Sequence, residues 1–277
     1  FNYFHIRLKV MGFSLRHLKK RTRGDCMNYV VRSHIGRVRT VNEDRAAVII
    51  SESHQIAIAV VADGMGGHLG GDVASTMAVE LLEERVKRLL SLPETSAQWL
   101  SWLREVIDEL NEKIYVKASR EKRYKGMGTT LDIAVITKNE MYIGHVGDSR
   151  VYIIDDEAIE LVTKDHSFVN ALVDSGAITK EEAVDHPKKN WIVQALGSDK
   201  KVKADIFAQS LTEVSHILLC TDGLTNKVTD DEILAVMNEK SSLERRTERL
   251  IHLANERGGE DNISIIAFAR SEEVGPS

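Results

Sequence analysis

Aspartates in this sequence recur where an apolar segment ends and a small residue follows. Three such positions lie far apart in the chain: Asp63-Gly64, Asp148-Ser149 and Asp222-Gly223. A fourth aspartate, Asp261, precedes the last apolar segment, and the pair Glu43 and Asp44 precedes the second. Any one of these positions by itself is typical of a turn. Their recurrence indicates instead a set of carboxylates that could meet in space.

Carboxylates that converge in a cleft need a positive partner. Four of them would repel one another at low dielectric, so their convergence implies a bound metal ion. Oxygen ligands suit Mg²⁺ or Mn²⁺, and the sequence has no histidine pair at the spacing of a zinc site. A glycine beside an aspartate, such as Gly64, lets a backbone carbonyl approach an ion closely. The pattern predicts either a divalent-metal site or a series of unrelated turns.

Apolar periodicity predicts the elements that would position these carboxylates. Short apolar runs indicate strands at 28–32, 45–51, 56–62, 129–137, 141–146, 150–154, 159–163, 202–210, 216–221 and 262–269. Apolar residues at helical spacing indicate helices at 72–90, 96–119, 229–238 and 243–257. Strands clustered between helix pairs, without strict alternation, predict an α+β fold. We expect a central antiparallel β-sandwich flanked by helix pairs, in α-β-β-α layers.

The composition is typical of a folded globular protein. The chain has 277 residues, of which 43% are apolar and 29% are charged. Its two cysteines cannot form a disulfide framework, which favours a reducing, cytoplasmic location. The sequence has no eighteen-residue apolar window free of charge, so we expect no membrane span. The formal net charge is −5, and because residues 1–26 carry a net charge of +6, the rest of the chain carries −11, which argues against nucleic-acid binding by the main domain.

Charge also divides the chain into segments. Residues 1–26 hold seven Lys or Arg and one Asp, and we interpret them as a basic extension outside the core. They lack the apolar centre and cleavage site of a secretory signal, although a weak contact with anionic partners stays open. We expect one domain over residues 27–271, with a tail at 272–277. Residues 166–190 hold short helical patterns and are predicted to form a flap insertion.

Seven short segments, in order along the chain, resemble the metal-dependent protein phosphatases, also called the protein phosphatase 2C family, in its bacterial form. The segments are Ser33–Arg39 with Asn42–Arg45, Val61–His68, Gly126–Leu131, Gly144–Tyr152, Thr163–Ser167, Cys220–Leu224 and Gly259–Asn262. Each is short, but all seven in family order make a chance match very improbable. The resemblance implies a β-sandwich with a helix pair on each side and a binuclear metal site at one edge.

The resemblance also implies roles for the strand-end aspartates. Asp63 would bridge two Mn²⁺ or Mg²⁺ ions, and the carbonyl of Gly64 would bind the second ion. Asp222 and Asp261 would complete the first ion's ligands. In bacterial members a third, weaker ion is bound by the acid that Asp148 matches here, with Asp222 shared.

Three further residues match positions of the family that act around this site. Glu43 and Asp44 match acids that face the second ion through water. Arg39, four residues before Glu43, lies where the family keeps its phosphate-binding arginine. The planar guanidinium of Arg39 could bind two phosphate oxygens and offset the negative charge of the site.

The reaction implied by the resemblance is hydrolysis of phosphoserine and phosphothreonine in proteins. A hydroxide bridging the two ions would attack phosphorus in line with the leaving oxygen. Eukaryotic members have a histidine directly after the Asp-Gly pair, but this chain has Met65, which cannot donate a proton. The proton for the leaving oxygen would come from a metal-bound water or from His68. A purely local packing role for His68 is equally open.

The resemblance further implies phosphoprotein substrates and a cognate bacterial Ser/Thr kinase, and we expect a monomer. Two alternatives differ in class. A pseudoenzyme that binds phosphoproteins without turnover would be favoured by loss of a ligand, yet Asp63, Asp222, Asp261 and Arg39 are all present. A phosphatase dedicated to one regulator would be expected to carry a sensor domain, for which 277 residues leave no room.

Overall fold

The computed structural model describes residues 28–51, 55–66 and 70–270. Within these residues the strands are β1 (Asn28–His34), β2 (Asp44–Ser51), β3 (Ile56–Met65), β4 (Gly128–Thr129), β5 (Leu131–Ile136), β6 (Glu140–Val146), β7 (Arg150–Ile154), β8 (Ile159–Leu161), β9 (Asp205–Ser210), β10 (His216–Cys220) and β11 (Ile263–Ala269). The helices are α1 (Gly70–Lys87), α2 (Ser96–Arg120), α3 (Phe168–Asp174), α4 (Lys180–Val184), α5 (Asp222–Thr225), α6 (Asp230–Met237) and α7 (Leu243–Glu256). The predicted extension 1–26 and tail 272–277 lie outside the described residues.

The strands form two sheets whose described pairings are all antiparallel. One sheet has the order β2-β3-β5-β6-β9, with β4 paired to β3, and the other has the order β1-β11-β10-β7-β8. One core cluster lies between the sheets, a second lies under α1 and α2, and a third lies under α6 and α7. The predicted α-β-β-α sandwich is confirmed.

Alternation along β2 and β3 fixes which carboxylates face the space between the sheets. Side chains of successive strand residues point to opposite faces. In β3, Ala59 and Val61 pack between the sheets, and Val60 packs towards the helices. Asp63 therefore continues the row that faces the opposite sheet. Asp44 occupies the paired position on β2.

Capping boxes begin three of the helices, as Ser/Thr followed by Gln/Glu predicts. Thr95 and Gln98 cap α2, and Thr229 and Glu232 cap α6. The predicted box at Thr179 caps α4 within residues 166–190. That segment leaves the sandwich at His166, whose backbone N–H donates to the carbonyl of Gly147 at 2.7 Å.

Three predicted boundaries were wrong. Strand β3 does not end at Ala62 but continues to Met65, because β4 pairs with its last residues. The predicted strand 129–137 is divided at Thr130, whose backbone N–H donates to the carbonyl of Asp63. Asp222 begins a four-residue helix, α5, rather than a turn. The first two differences arise from pairing between segments that are distant in sequence, whereas α5 is a local helical turn that follows Thr221.

A half-buried histidine on the second sheet makes fold stability depend on pH. Burial and the Arg246 guanidinium lower the pKa of His216 to about 4, whereas an unfolded histidine titrates near 6.5. Between these values the unfolded chain binds more protons, so stability falls as the pH drops below about 6.5. We expect His216→Gln to reduce the stability lost between pH 7 and pH 5 by about 1 kcal/mol, after allowance for solvent screening.

Urea unfolding at the two pH values measures this difference. His252→Gln provides the matched control, since the side chain of His252 is 67% exposed. An equal loss of stability in the parent protein and in His216→Gln would contradict the assignment.

Candidate metal centre

Three aspartates reach the same edge of the sandwich from different strands. Asp63 lies in β3. Asp222 is the second residue after the end of β10, and Asp261 is the second residue before the start of β11. Strands β10 and β11 are antiparallel neighbours, with Cys220 opposite Ile265, so the end of one adjoins the start of the other. The topology therefore brings together residues that are up to two hundred positions apart.

The charges of these residues act on one another. Burial raises the pKa of Asp63 well above its usual range, and the carboxylates of Asp44, Asp222 and Asp148 raise it further. Burial and then the charge of Asp261 raise the pKa of Asp222, although a hydrogen bond with Asp63 opposes the rise. Such mutual effects need short separations. They identify one acidic cluster at the sandwich edge.

Several oxygens of the cluster have no hydrogen-bond donor. Among the described residues, Oδ1 of Asp44, Asp148 and Asp222 is buried without a partner. In the same part of the chain no three His, Cys, Asp or Glu side chains, as arranged, could hold a metal ion. Uncompensated carboxylates repel one another, whereas each is attracted to a cation. Buried, partnerless oxygens of this kind fit a hard divalent cation.

Gly64 lies where a side chain has no room. A Cβ on this residue would lie 2.7 Å from the backbone oxygen of Glu43 and would overlap the carbonyl of Gly71. The N–H of Gly64 donates to the Glu43 carbonyl at 3.2 Å. The close approach of these backbone segments explains the glycine and places Glu43 beside the acidic cluster, where burial raises its pKa.

Asp44 and Asp148 form the deeper part of the cluster. Asp44 is fully buried, and its Oδ2 accepts a hydrogen bond from Thr221 at 2.8 Å. Burial raises its pKa to about 7. Asp148 is also buried, and burial together with the charge of Asp222 raises its pKa to about 8. The predicted carboxylates thus lie within electrostatic reach of one another at this edge of the sandwich.

Arg39 lies at the exposed rim of the cluster. Its side chain is 48% exposed, and its guanidinium forms an ion pair with Asp261 at 2.8 Å. Its Nε also donates to the Glu260 carbonyl at 3.2 Å. An exposed guanidinium held beside buried carboxylates can bind an anion that enters from solvent.

One organising residue was not predicted. Asn262 accepts a hydrogen bond from the backbone N–H of Glu43 at 2.8 Å and donates to the carbonyls of Ile35 and Val41. It thereby ties the loop that carries Arg39 to the start of β11. Its position directly after Asp261 was the available sequence signal. His68 lies outside the described residues, so its predicted alternatives stay predictions.

Comparison with known proteins decides the family. A sequence model described as Protein phosphatase 2C matches residues 32–264. The chain belongs to the protein phosphatase 2C family. The predicted recognition is therefore confirmed over nearly the whole described part of the chain.

Members of the family similar to this chain come from several bacteria. A serine/threonine phosphatase stp of Listeria welshimeri is 41% identical over 245 residues, which cover 88% of this chain and 96% of the relative. The crystal structure of the serine/threonine phosphatase Stp1 from Staphylococcus aureus is 35% identical, with a TM-score of 0.83 over 94% of this chain and all of that one.

A further protein phosphatase 2C structure contains metal. It is the catalytic domain of the serine/threonine protein phosphatase PstP in complex with two manganese ions. It is 31% identical to this chain, with a TM-score of 0.73, and the alignment covers 89% of this chain and 99% of the PstP domain.

No helix of the described residues is long and apolar enough to cross a membrane.

Proposed function

We propose that this protein is a Mn²⁺- or Mg²⁺-dependent protein serine/threonine phosphatase. The observation that carries the proposal is the cluster of buried and half-buried carboxylates at the sandwich edge, three of whose oxygens are buried without a donor, with Arg39 at its exposed rim. The cluster supplies oxygen ligands for hard cations, and the arginine supplies an anion site beside them. Membership of the protein phosphatase 2C family supports the same reaction.

Within this proposal Asp63, Asp222 and Asp261 hold two divalent ions, with the carbonyl of Gly64. When bound, the ions supply a water-derived nucleophile and neutralise charge on the phosphoryl group. Glu43 and Asp44 add negative charge around the second ion. Asp148 and Asp222 are proposed to bind a third, weaker ion.

The chain's own contribution to phosphate binding is Arg39. Its guanidinium has two donors that suit two oxygens of a phosphate monoester. A bound phosphate would compete with Asp261 for these donors, and an ion on Asp261 would weaken the ion pair. Arg39 would then hold the substrate phosphate in position with the donors that the ion pair with Asp261 now occupies.

Hydrolysis of phosphopeptides tests the reaction. In Mn²⁺ buffer, peptides containing phosphoserine or phosphothreonine are expected to release inorganic phosphate at least about tenfold faster than matched phosphotyrosine peptides. Release is followed with a colorimetric phosphate assay. Equal rates for all three residues would contradict specificity for serine and threonine, and no release at all would contradict the phosphatase proposal.

Arg39→Ala is expected to raise the KM for phosphopeptides by about 10-fold and to lower kcat less. The guanidinium holds substrate and transition state similarly, so its loss mainly weakens binding. Steady-state kinetics measure the two constants, and Arg39→Lys is expected to fall between alanine and arginine because it keeps the charge but loses the planar fork. An unchanged KM in Arg39→Ala would count against phosphate binding.

The proposal extends to the protein's setting. We infer a single phosphatase domain at 27–271, with a flap at 166–190, acting as a monomer on phosphoproteins and opposing a Ser/Thr kinase. A cytoplasmic location is consistent with the free, buried thiol of Cys220. Gel filtration with light scattering tests the monomer, and loss of phosphate from an autophosphorylated candidate kinase tests the pairing.

A further inference from the structure

A cleft of about 320 Å³ opens beside the C-terminal end of α2. One wall comes from the last turns of α2 and the residues that follow it, and the other comes from the segment after the flap. The lining residues are Tyr115, Ala118, Ser119, Lys122, Lys125, Gly126, Gly197 and Ser198. The cleft does not include any of the carboxylates of the metal centre.

Positive charge is concentrated around this cleft. The two segments 117–125 and 197–203 contain eight Lys or Arg and two acids, in a chain whose net charge is −5. One of the acids, Glu121, is paired with Lys117 and Arg123. Among the described residues no ion pair neutralises the exposed lysines that remain, which are Lys122, Lys125, Lys200, Lys201 and Lys203.

Favourable interaction with the dipole of α2 explains only some of these basic residues. Basic side chains in the last turn of a helix interact favourably with its dipole, which explains Lys117 and Arg120. Lys122 and Lys125 follow the helix, and Lys200 lies in a different segment. Lys122 and Lys125, which line the cleft, are unexplained by the dipole and favour binding of an anion.

The walls of the cleft are fixed to each other. Asn111 on α2 accepts a hydrogen bond from the N–H of Gly197 at 2.8 Å and donates to the carbonyls of Asp199 and Lys200. Gly197 has a φ of +83°, and a Cβ there would overlap Ile114. The second wall therefore lies directly on the helix, which preorganises the cleft for a ligand.

The cleft adjoins the loop that leads away from Asp63. A Cβ on Gly66 would lie 2.8 Å from Met127 Cα and closer still to the carbonyl of Gly126, which lines the cleft. Gly64 and Gly66 are two residues apart, a span of at most about 7 Å. The near rim of the cleft thus lies within roughly 10 Å of Gly64, a distance that three to four residues of extended peptide can cover.

We propose that this basic cleft binds an acidic stretch of the phosphoprotein substrate, three to four residues from the phosphorylated residue. The proposal rests on the phosphatase function proposed above and names the sequence context that the same site favours. The lysine ammonium groups attract carboxylates of the substrate, and the hydroxyls of Ser119 and Tyr115 are available as further donors. The expected specificity is for phosphorylated residues flanked by Asp or Glu.

Matched phosphothreonine peptides test this specificity. One carries Glu at the third and fourth positions on either side of the phosphothreonine, and the other carries Gln there. We expect kcat/KM to be about 3- to 10-fold higher for the Glu peptide, and the difference to shrink in 0.5 M salt. Lys122→Glu/Lys125→Glu should remove or invert this preference while it leaves turnover of p-nitrophenyl phosphate, which has no flanking residues, unchanged.

Lys138→Glu/Lys240→Glu is the control, because it makes the same change in net charge at exposed positions of other elements. Equal rates for the Glu and Gln peptides, or equal loss of preference in both double variants, would overturn the proposal.

Peptide binding separates this inference from the reaction itself. Fluorescence anisotropy of labelled Glu and Gln peptides, recorded without divalent metal, should give the same 3- to 10-fold preference and the same loss in Lys122→Glu/Lys125→Glu. If p-nitrophenyl phosphate were not hydrolysed but this preference were present, the phosphatase proposal would fail and the docking site would stand. No preference in binding would refute the docking site whatever the turnover.

Discussion

Asp63→Asn is expected to lower the turnover of p-nitrophenyl phosphate by at least about 1,000-fold. The charges of four other carboxylates raise the pKa of Asp63. Asp63 also lies opposite one of them, Asp44, at the sandwich edge. An amide of the same shape keeps the packing but gives up the charge that would hold two cations. Without both cations, the nucleophile and the charge neutralisation on phosphate are lost together.

Melting curves in chelator show whether this loss is chemical or structural. Removing one of several repelling carboxylates should leave the melting temperature of the metal-free protein unchanged or raise it. Asp108→Asn, an exposed position on α2, is the control and should keep full turnover. Near-normal turnover in Asp63→Asn would refute the site, and a lower melting temperature in chelator would point to a structural role for the carboxylate.

Much of this site could be predicted because its ligands are local features of strands. An apolar run that ends in Asp-Gly can be recognised within a few residues, and Asp63 and Asp222 both follow such runs. The α-β-β-α layers follow from the same periodicities, since an apolar face must be covered by another layer. The family resemblance added the assignment of roles, which spacing alone left open.

What sequence reasoning missed depends on contacts between distant segments. The extension of β3 to Met65 needs β4, which is more than sixty residues away. The ion pair of Arg39 with Asp261 spans 222 positions, and Asn262 organises a loop at the other end of the chain. Local propensity carries no information on such pairs, because they form only when the two sheets have packed.

The same contacts connect the fold to the proposed chemistry. Asp261 meets Arg39 where the side chain of Asn262 joins the loop before β2 to the start of β11. The segment that follows the 3-10 turn Lys122–Tyr124 reaches both the metal-site loop and the basic cleft. The phosphate-binding site and the basic cleft would thus lie on adjacent backbone segments. The effect of a substitution in one site can be compared with the effect of a substitution in the other.

Removal of divalent metal is expected to abolish activity and to lower stability. Chelation with EDTA, followed by desalting, should leave less than about 1% of the turnover of p-nitrophenyl phosphate, and Mn²⁺ or Mg²⁺ should restore it. Metal that binds only the folded state stabilises it, by about 2.7 kcal/mol at one hundred times the dissociation constant. The melting temperature should therefore rise with Mn²⁺ concentration until the sites are filled.

Asp63→Asn turns this experiment into a test of where the metal binds. If the ions occupy the acidic cluster, Mn²⁺ should raise the melting temperature of the parent protein and of Asp108→Asn but have little effect on Asp63→Asn. Titration calorimetry should give two Mn²⁺ sites in the parent, or three if Asp148 also binds an ion. Full activity after exhaustive chelation would exclude a metal-dependent reaction, whereas equal stabilisation of Asp63→Asn would place the bound metal elsewhere. Because the buried oxygens of Asp44 and Asp222 lack donors, a cation between them would satisfy groups that the folded chain by itself leaves unpaired.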